Sequence, residues 1–122
     1  MACGYSQILD KDFDETYEPT SKYKSLCMIL NLAAIFDWEI EGIYVEQAFL
    51  ESLLDNEIYL TLPKDVYYSQ SDKPNEPAIV KLLRSFYGLK QAGGLWYKTV
   101  KEILTDFDYI CLIHDSCVFI KK

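Results

Sequence analysis

The sequence predicts an α+β fold in which two principal helices pack against a mainly antiparallel sheet. Three observations predict it. Two stretches carry apolar residues at helical spacing, several shorter runs alternate apolar and polar residues as strands do, and turns rich in glycine or proline separate them. With 122 residues, half of them hydrophobic, the chain has the size of one domain and can bury a core.

The first half of the chain predicts one helix and two strands. Residues 1–21 are polar and acidic, which is typical of a loop or an edge strand. From residue 22 to 36 apolar side chains recur at helical spacing without glycine or proline, and Thr20 or Ser21 can cap this helix. The alternation of residues 38–45 predicts a strand, residues 46–54 a short helix or turn, and residues 57–62 a strand that stops at Pro63.

The second half predicts a long loop, two strands and the second helix. Residues 63–77 contain three prolines and many polar residues, as expected of a surface loop. Residues 78–83 predict a third strand, and apolar residues between 96 and 107 fall on one face of a helix. The apolar run 109–120 predicts the last strand.

The charge of the chain is unevenly distributed. Residues 1–62 hold 12 acids and 3 bases, whereas residues 63–122 hold 7 acids and 9 bases, so the first half has a net charge of −9 and the second half of +2. Binding to a phosphate backbone draws its affinity from clustered Lys and Arg. The first half is therefore expected to repel nucleic acid and the second half to attract it weakly.

The sequence also predicts the environment of the chain. It has no apolar run near the roughly 20 residues of a membrane span, and its N-terminus lacks a secretory pattern. We therefore expect an intracellular protein that contacts no membrane. In that setting the cysteines would be reduced and act as small buried hydrophobic residues; they are Cys3, Cys27, Cys111 and Cys117.

The least generic stretch is residues 85–97, Ser-Phe-Tyr-Gly-Leu-Lys-Gln-Ala-Gly-Gly-Leu-Trp-Tyr. A strand-like run enters a turn at Gly88, and a helix that presents aromatic residues follows. Glycine lets the backbone approach a ligand or take a positive φ, and Lys90 beside a helix N-terminus favours an anion such as phosphate. A plain connection from strand to helix, with a solvated lysine, explains the same pattern.

Five blocks in register identify a resemblance over nearly the whole chain. They are Gly4–Gln7 with Asp14–Pro19, Leu30–Ile40, Val45–Leu60, Leu82–Tyr97 and Asp115–Lys121. The fourth is similar to the motif LLKSLYGLKQAPRQWY, and the third to DVKTAFLNGxLxEEIYM. The chain resembles the reverse transcriptase of copia-type LTR retrotransposons, an RNA-directed DNA polymerase.

The resemblance implies part of the fingers and palm of a right-hand polymerase, whose phosphoryl transfer uses two Mg²⁺ ions held by aspartates. The family's first aspartate falls at Tyr44, which is a poor Mg²⁺ ligand because its phenol is neutral at neutral pH. Glu46 would lie on the same strand face and could be considered as a substitute. The family's aspartate pair lies beyond the Asp115–Lys121 block, where this sequence ends.

The resemblance also assigns a nucleotide-facing wall. Phe49 would sit under the incoming sugar, and Tyr87, Gly88, Lys90 and Gln91 would lie along the templating base and nucleotide. Two departures remove positive charge or rigidity: Glu46 replaces a usual lysine, and Gly93-Gly94 replaces Pro-Arg. The expected domain is residues 1–122, a single partial reverse transcriptase domain without the N-terminal fingers strand and the C-terminal aspartate-pair hairpin.

Other constellations have alternative interpretations. Cys111, His114 and Cys117 could suggest zinc, but on a strand His114 points away from both cysteines, and no fourth ligand is evident. The carboxylates Asp37, Glu39 and Glu41 could form an acid/base pair or a solvated strand face. The remaining pair, Tyr67-Tyr68, could stack on a base or be ordinary loop aromatics.

These features predict a truncated remnant of a reverse transcriptase that is inactive alone, with no intact catalytic residue, no metal and no cofactor of its own. The template-primer and the dNTP of the family would be lost or weakly bound, and exposed sheet edges would favour self-association. An alternative is a non-catalytic nucleic-acid- or protein-binding module in which Lys81 and Lys90 contribute to binding. A second chain carrying the aspartate pair could also complete the enzyme, which Tyr44 disfavours.

Overall fold

The computed structural model describes residues 2–63 and 78–121. It confirms an α+β fold. Within these residues there are two α-helices, four β-strands and two short 3₁₀ turns, Gly4–Ser6 and Ala48–Glu51. The main elements in chain order are α1 (Tyr23–Phe36), β1 (Leu53–Thr61), β2 (Ile79–Arg84), α2 (Ala92–Asp106), β3 (Tyr109–Cys111) and β4 (Phe119–Lys121).

The strands pair antiparallel, as predicted, but in two separate two-stranded sheets. β1 and β2 form the larger sheet, in which Ile58 lies opposite Leu82 and Leu60 opposite Val80. An irregularity between Leu53 and Ile58 shifts the register. β3 and β4 form a short hairpin with Ile110 opposite Ile120. The prediction of antiparallel pairing is thus confirmed, but the strands form two small sheets and not one continuous sheet.

Two of the predicted strands are wrong. Residues 38–45 form neither helix nor strand, because alternation alone does not supply the partner backbone that a strand needs. The run 109–120 is a hairpin, since a turn through Asp115 reverses the chain in its middle. The other strands are confirmed with shifted ends: β1 begins four residues before the predicted start at Glu57.

The core is small and lies between the larger sheet and the start of α2. Its buried members are Ala2, Ile58, Leu89 and Ala92. Partly buried hydrophobic residues pack around them: Phe49, Leu54, Leu60, Leu82 and Phe86. The stretch 85–97 therefore supplies both a turn and part of the core, which fixes that turn against β1.

Helix α1 begins without the predicted cap. Its N-cap residue is Lys22, and neither Thr20 nor Ser21 makes the capping hydrogen bond. Instead the Asp115 carboxylate accepts the Lys22 backbone N–H at 2.9 Å through Oδ2 and the Cys117 N–H at 3.1 Å through Oδ1. A carboxylate at this end of a helix also faces the positive end of its dipole. The hairpin therefore holds the start of α1.

Several other predictions concern burial. Cys3 is exposed, and Cys27, Cys111 and Cys117 are only partly buried, so the prediction of four buried cysteines is wrong; all four thiols are free.

The predicted loop 63–77 lies outside the described residues except for Pro63, and so does Tyr67-Tyr68. Neither described helix has the length and apolar character that a bilayer crossing requires.

Candidate functional site

The turn at residues 85–91 joins β2 to α2 with a backbone that requires glycine at its centre. Gly88 has φ of 98°, in the left-handed region that side chains disfavour. The Leu89 N–H donates to the Phe86 carbonyl at 3.2 Å. Before the turn, the Ser85 N–H donates to the Ser52 carbonyl at 2.8 Å. The turn is therefore anchored to the segment that precedes β1.

Phe49 and Tyr87, two of the residues assigned to the nucleotide-facing wall, are in contact. Their ring centroids lie 5.0 Å apart with the planes tilted by 59°. This is a favourable aromatic geometry, and the two rings come from segments 38 residues apart in the sequence. Phe49 is part of the shell around the core, whereas Tyr87 is exposed. The fold thus brings together the aromatic pair that the resemblance names.

The N-terminal segment covers the same turn. Ala2 donates its N–H to the Tyr87 carbonyl at 2.7 Å. A Cβ on Gly4 would lie 1.9 Å from the carbonyl oxygen of Gly88, so Gly4 is buried where only a glycine backbone fits. The backbones of Gly4 and Gly88, which come from distant motifs, are therefore in direct contact. This contact explains why position 4 has no room for a side chain.

Lys90 and Gln91 are bound to this N-terminal segment by hydrogen bonds. The Gln7 amide accepts the Lys90 backbone N–H at 2.8 Å and donates to Gln91 Oε1 at 3.0 Å. Gln91 is buried and donates in turn to the Asp12 carbonyl at 2.9 Å. Lys90 Nζ donates to the Gln7 carbonyl at 3.2 Å and lies 5.1 Å from the centroid of the Phe13 ring. Both residues are thus engaged inside the chain.

Gly93 and Gly94, which stand where the resemblance expects Pro-Arg, allow a second close approach. A Cβ on Gly94 would lie 2.8 Å from the Tyr17 carbonyl oxygen, and one on Gly93 would overlap the Glu18 carboxyl group. Residues 17–18 therefore lie directly on the first turn of α2. A carboxylate at a helix N-terminus occupies the place that a phosphate would favour.

Tyr44 and Glu46 do not lie in the packed region that contains the residues of the nucleotide-facing wall. Both belong to the segment without regular structure, and the Tyr44 side chain is 86% exposed. The expectation that Glu46 shares a strand face with Tyr44 is wrong, because there is no strand at these residues. Asp37, Glu39 and Glu41 are also exposed. In the described part of the chain no three His, Cys, Asp or Glu residues cluster as metal ligands do.

A small cavity of about 110 Å³ lies beside the wall, between residues 13–17, residues 55–56 and the start of α2. Nucleotide-sized ligands fill pockets of about 300–1,000 Å³. Its charged lining is mainly acidic, with Asp14, Glu15 and Asp55 facing one base, Lys98. Lys98 Nζ in turn lies 3.6 Å from Asp55 Oδ2. Neither the size nor the charge of this cavity suits a triphosphate.

Local sequence patterns do not indicate the roles of Gln7 and Asp115. Gln7 bonds to residues more than 80 positions away, and Asp115 to a residue 93 positions away. Each belongs to a block that carries the resemblance, which was the only available signal. The hydrogen bond from Ser25, followed by the Lys22 and Cys117 backbone N–H groups, holds the pKa of Asp115 below its ordinary value.

Acidification is expected to release the contact between Asp115 and α1. Since the folded pKa is lowered, the stabilisation is fully present above the unfolded pKa of about 3.9 and is lost as the pH falls through the folded value. Asp115→Asn should therefore lower the free energy of unfolding most near pH 7, and the difference from the unaltered chain should shrink towards about pH 2.

Urea unfolding across that pH range measures the difference for Asp115. Asp106→Asn, which removes an exposed carboxylate from the end of α2, is the matched control and should have little effect on the free energy of unfolding. If Asp115→Asn lowered the free energy of unfolding by the same amount at pH 7 and at about pH 2, the stabilising role of the Asp115 carboxylate at the start of α1 would be contradicted.

Comparison with known proteins decides the family. The family model described as reverse transcriptase (RNA-dependent DNA polymerase) matches residues 1–122. The chain belongs to the reverse transcriptase family. This reverse transcriptase chain has α+β structure with the motif turn, the aromatic pair and the bound Lys90 and Gln91 described above.

Its relatives are retrotransposon Pol polyproteins. It is 36% identical over 119 residues to the retrovirus-related Pol polyprotein from transposon TNT 1-94 of Nicotiana tabacum, and 31% identical over 120 residues to that from transposon RE1 of Arabidopsis thaliana. Each match covers 98% of this chain. The Transposon Ty1-H Gag-Pol polyprotein of Saccharomyces cerevisiae is 30% identical over 100 residues, 78% of the chain.

The reverse transcriptase chain spans only a small part of these polyproteins: 9% of the tobacco relative, 8% of the Arabidopsis relative and 5% of the yeast relative. No solved structure matches it. The copia-type assignment agrees with both the plant and the yeast relatives.

Proposed function

We propose that residues 1–122 are a fingers-and-palm portion of a right-hand reverse transcriptase in which the nucleotide-facing wall is retained and the metal site is lost. In this proposal the segment is one partial domain and does not polymerise DNA by itself. Tyr44 is the observation that carries the proposal, because it stands at the position where the resemblance puts the first metal-binding aspartate.

The retained wall is supported by packing. Phe49 touches Tyr87, the Gly88 turn has the conformation that glycine alone readily adopts, and Gln91 is buried in a hydrogen-bonded network. In the proposal Phe49 lies under a nucleotide sugar, and Tyr87 and Gly88 lie along the base. Lys90 would have to leave the Gln7 carbonyl and the Phe13 ring to reach a phosphate.

Tyr44 and Glu46 do not form a site that suits the Mg²⁺ ions that the family implies. Mg²⁺ prefers carboxylate and water oxygens in near-octahedral geometry, and the single phenol oxygen of a tyrosine is a poorer ligand than the two oxygens of an aspartate carboxylate. Glu46 is a lone exposed carboxylate. No catalytic step through a metal is therefore derived for this segment.

Binding of a template-primer is expected to be weak for a related reason. Described basic residues near the wall are paired with acids of the same chain: Lys81 with Glu57, Arg84 with Glu51 and Lys98 with Asp55. A phosphate backbone would have to displace these partners and also approach an acidic first half. This disfavours the alternative of a retained nucleic-acid-binding module.

A Mn²⁺ titration of the ¹⁵N-labelled chain tests the loss of the metal site. Mn²⁺ takes the same oxygen ligands as Mg²⁺ and broadens nearby amide signals. We expect no saturable broadening at residues 44–49 in the unaltered chain. The Tyr44→Asp variant, which adds a carboxylate near Glu46, should broaden at lower Mn²⁺ concentration. Saturable broadening of these residues in the unaltered chain, with an apparent Kd below about 1 mM, would contradict the proposal.

A further inference from the structure

Two of the four free thiols lie at the two ends of one tight turn. Cys111 ends β3, and Cys117 lies two residues before the start of β4, so the turn between the strands separates them. Both side chains are partly buried. The Leu112 N–H donates to the Val118 carbonyl at 2.9 Å, and the Val118 N–H donates to the Asp115 carbonyl at 3.1 Å. These hydrogen bonds hold both cysteines on a structured turn.

The carbonyl of Ser116 brings the two thiols close together. The Cys111 S–H donates to this oxygen, with Sγ 3.2 Å away. The oxygen belongs to the peptide group that precedes Cys117, so it lies about 2.8 Å from the Cys117 Cα in a trans peptide. Cys111 Sγ is therefore within about 6 Å of that Cα, whereas a disulfide needs about 4 Å. A shift of about 2 Å and a rotation of the Cys117 side chain bring the sulfurs to bonding distance.

Tyr97 of α2 binds the same carbonyl. Its hydroxyl donates to the Ser116 oxygen at 3.0 Å. Burial raises the pKa of the Tyr97 phenol, so the phenol stays protonated and remains a donor. When Cys111 becomes part of a disulfide its S–H is lost, but the tyrosine hydroxyl still satisfies the carbonyl. The surroundings of the two thiols therefore accommodate the oxidised state.

We propose that Cys111 and Cys117 form a reversible disulfide by exchange with a small-molecule disulfide such as oxidised glutathione. One thiol loses its proton and attacks a sulfur of the oxidant, which gives a mixed disulfide and one glutathione thiolate. The second thiol then loses its proton, attacks the protein sulfur of the mixed disulfide and releases the second glutathione. The chain gives up two electrons and two protons, and both glutathione sulfurs leave as thiols.

The disulfide restrains the turn that holds the start of α1. Asp115 lies between the two cysteines in the sequence, and its carboxylate accepts the Lys22 N–H and the Cys117 N–H. A bond across residues 111–117 removes freedom mainly from the unfolded chain. Oxidation and folding form one thermodynamic cycle, so folding favours the disulfide by the same factor by which the disulfide favours folding. We expect this factor to be about ten.

Equilibration of the whole chain with reduced and oxidised glutathione, followed by alkylation and mass spectrometry, tests this proposal. Trypsin releases residues 102–121 as one peptide, which contains Cys111, Cys117 and no other cysteine. Loss of two hydrogens without alkylation identifies the disulfide, and two alkyl groups identify the reduced form. The equilibrium constant for the disulfide should be about tenfold larger in the folded chain than in the same buffers with about 8 M urea.

Two variants test the surroundings of the pair. Tyr97→Phe removes the donor that remains after oxidation and should lower the equilibrium constant of the folded chain by about fivefold. Tyr59→Phe makes the same change at an exposed position of β1 and should leave it unchanged.

Two results would overturn the proposal. One is an equilibrium constant in the folded chain that is equal to or below the value in urea. The other is a folded chain in which residues 102–121 carry glutathione on the cysteines and form no internal bond. An unchanged constant in Tyr97→Phe would contradict the part assigned to the tyrosine hydroxyl.

Discussion

Gly4→Ala is expected to destabilise the chain by about 3 kcal/mol, near the upper end for overpacking a close contact. The added Cβ would lie 1.9 Å from the carbonyl oxygen of Gly88, and that oxygen belongs to backbone whose φ of 98° leaves little freedom to move. Relief of the contact would pull the N-terminal segment away from the turn. The Gln7 hydrogen bonds to Lys90 and Gln91 would be weakened with it.

Gly42→Ala is the matched control for this change. A Cβ at Gly42 would meet no atom within 4 Å. Its effect on the free energy of unfolding should stay within about 1 kcal/mol, with slight stabilisation because the unfolded chain loses freedom. Urea unfolding followed by circular dichroism measures both variants. Equal midpoints for the two would show that the N-terminal segment does not dock on Gly88 as described.

Local patterns in the sequence predicted the local elements well. The apolar spacing placed α1 within one residue of its observed start, and β2 was predicted to within one residue at each end. In both cases the signal lies inside the element itself. The motif around Gly88 also indicated a turn between a strand and a helix, and the backbone there has the positive φ that a glycine supplies.

Features that depend on distant partners could not be predicted from local patterns. Residues 38–45 alternate like a strand, but a strand requires a second backbone beside it, and the sequence does not say whether one is present. The cap of α1 comes from Asp115, 93 residues beyond Lys22, and not from the adjacent Thr20 or Ser21.

In the candidate site too, the motif residues could be named from the sequence, whereas their distant partners could not. The resemblance named Phe49, Tyr87, Gly88, Lys90 and Gln91, and the fold brings Phe49 against Tyr87. That Gln7 binds both Lys90 and Gln91 was not predictable, because an amide in a polar N-terminal stretch carries no signal about its partner. The roles of the wall residues toward a nucleotide stay predictions.

Tyr44→Asp is expected to have the largest effect on activity. We consider residues 1–122 inserted in place of the matching segment of the Pol polyprotein of transposon TNT 1-94. Under the proposed function, Tyr44 leaves the first metal ligand missing, so that the metal's contribution of several kcal/mol to the transition state would be lost. Restoring a carboxylate should therefore raise nucleotide incorporation by more than about a hundredfold. Tyr44→Phe, which removes only the hydroxyl, should leave it unchanged.

Primer extension on an RNA template, with the unaltered tobacco segment as the positive control, measures these chimeras directly. We predict no extension above background for the Tyr44 and Tyr44→Phe chimeras, and clear Mg²⁺-dependent extension for Tyr44→Asp. Extension by the Tyr44 chimera at a rate near that of the control would contradict the central claim that this segment keeps the nucleotide-facing wall and has lost the metal site.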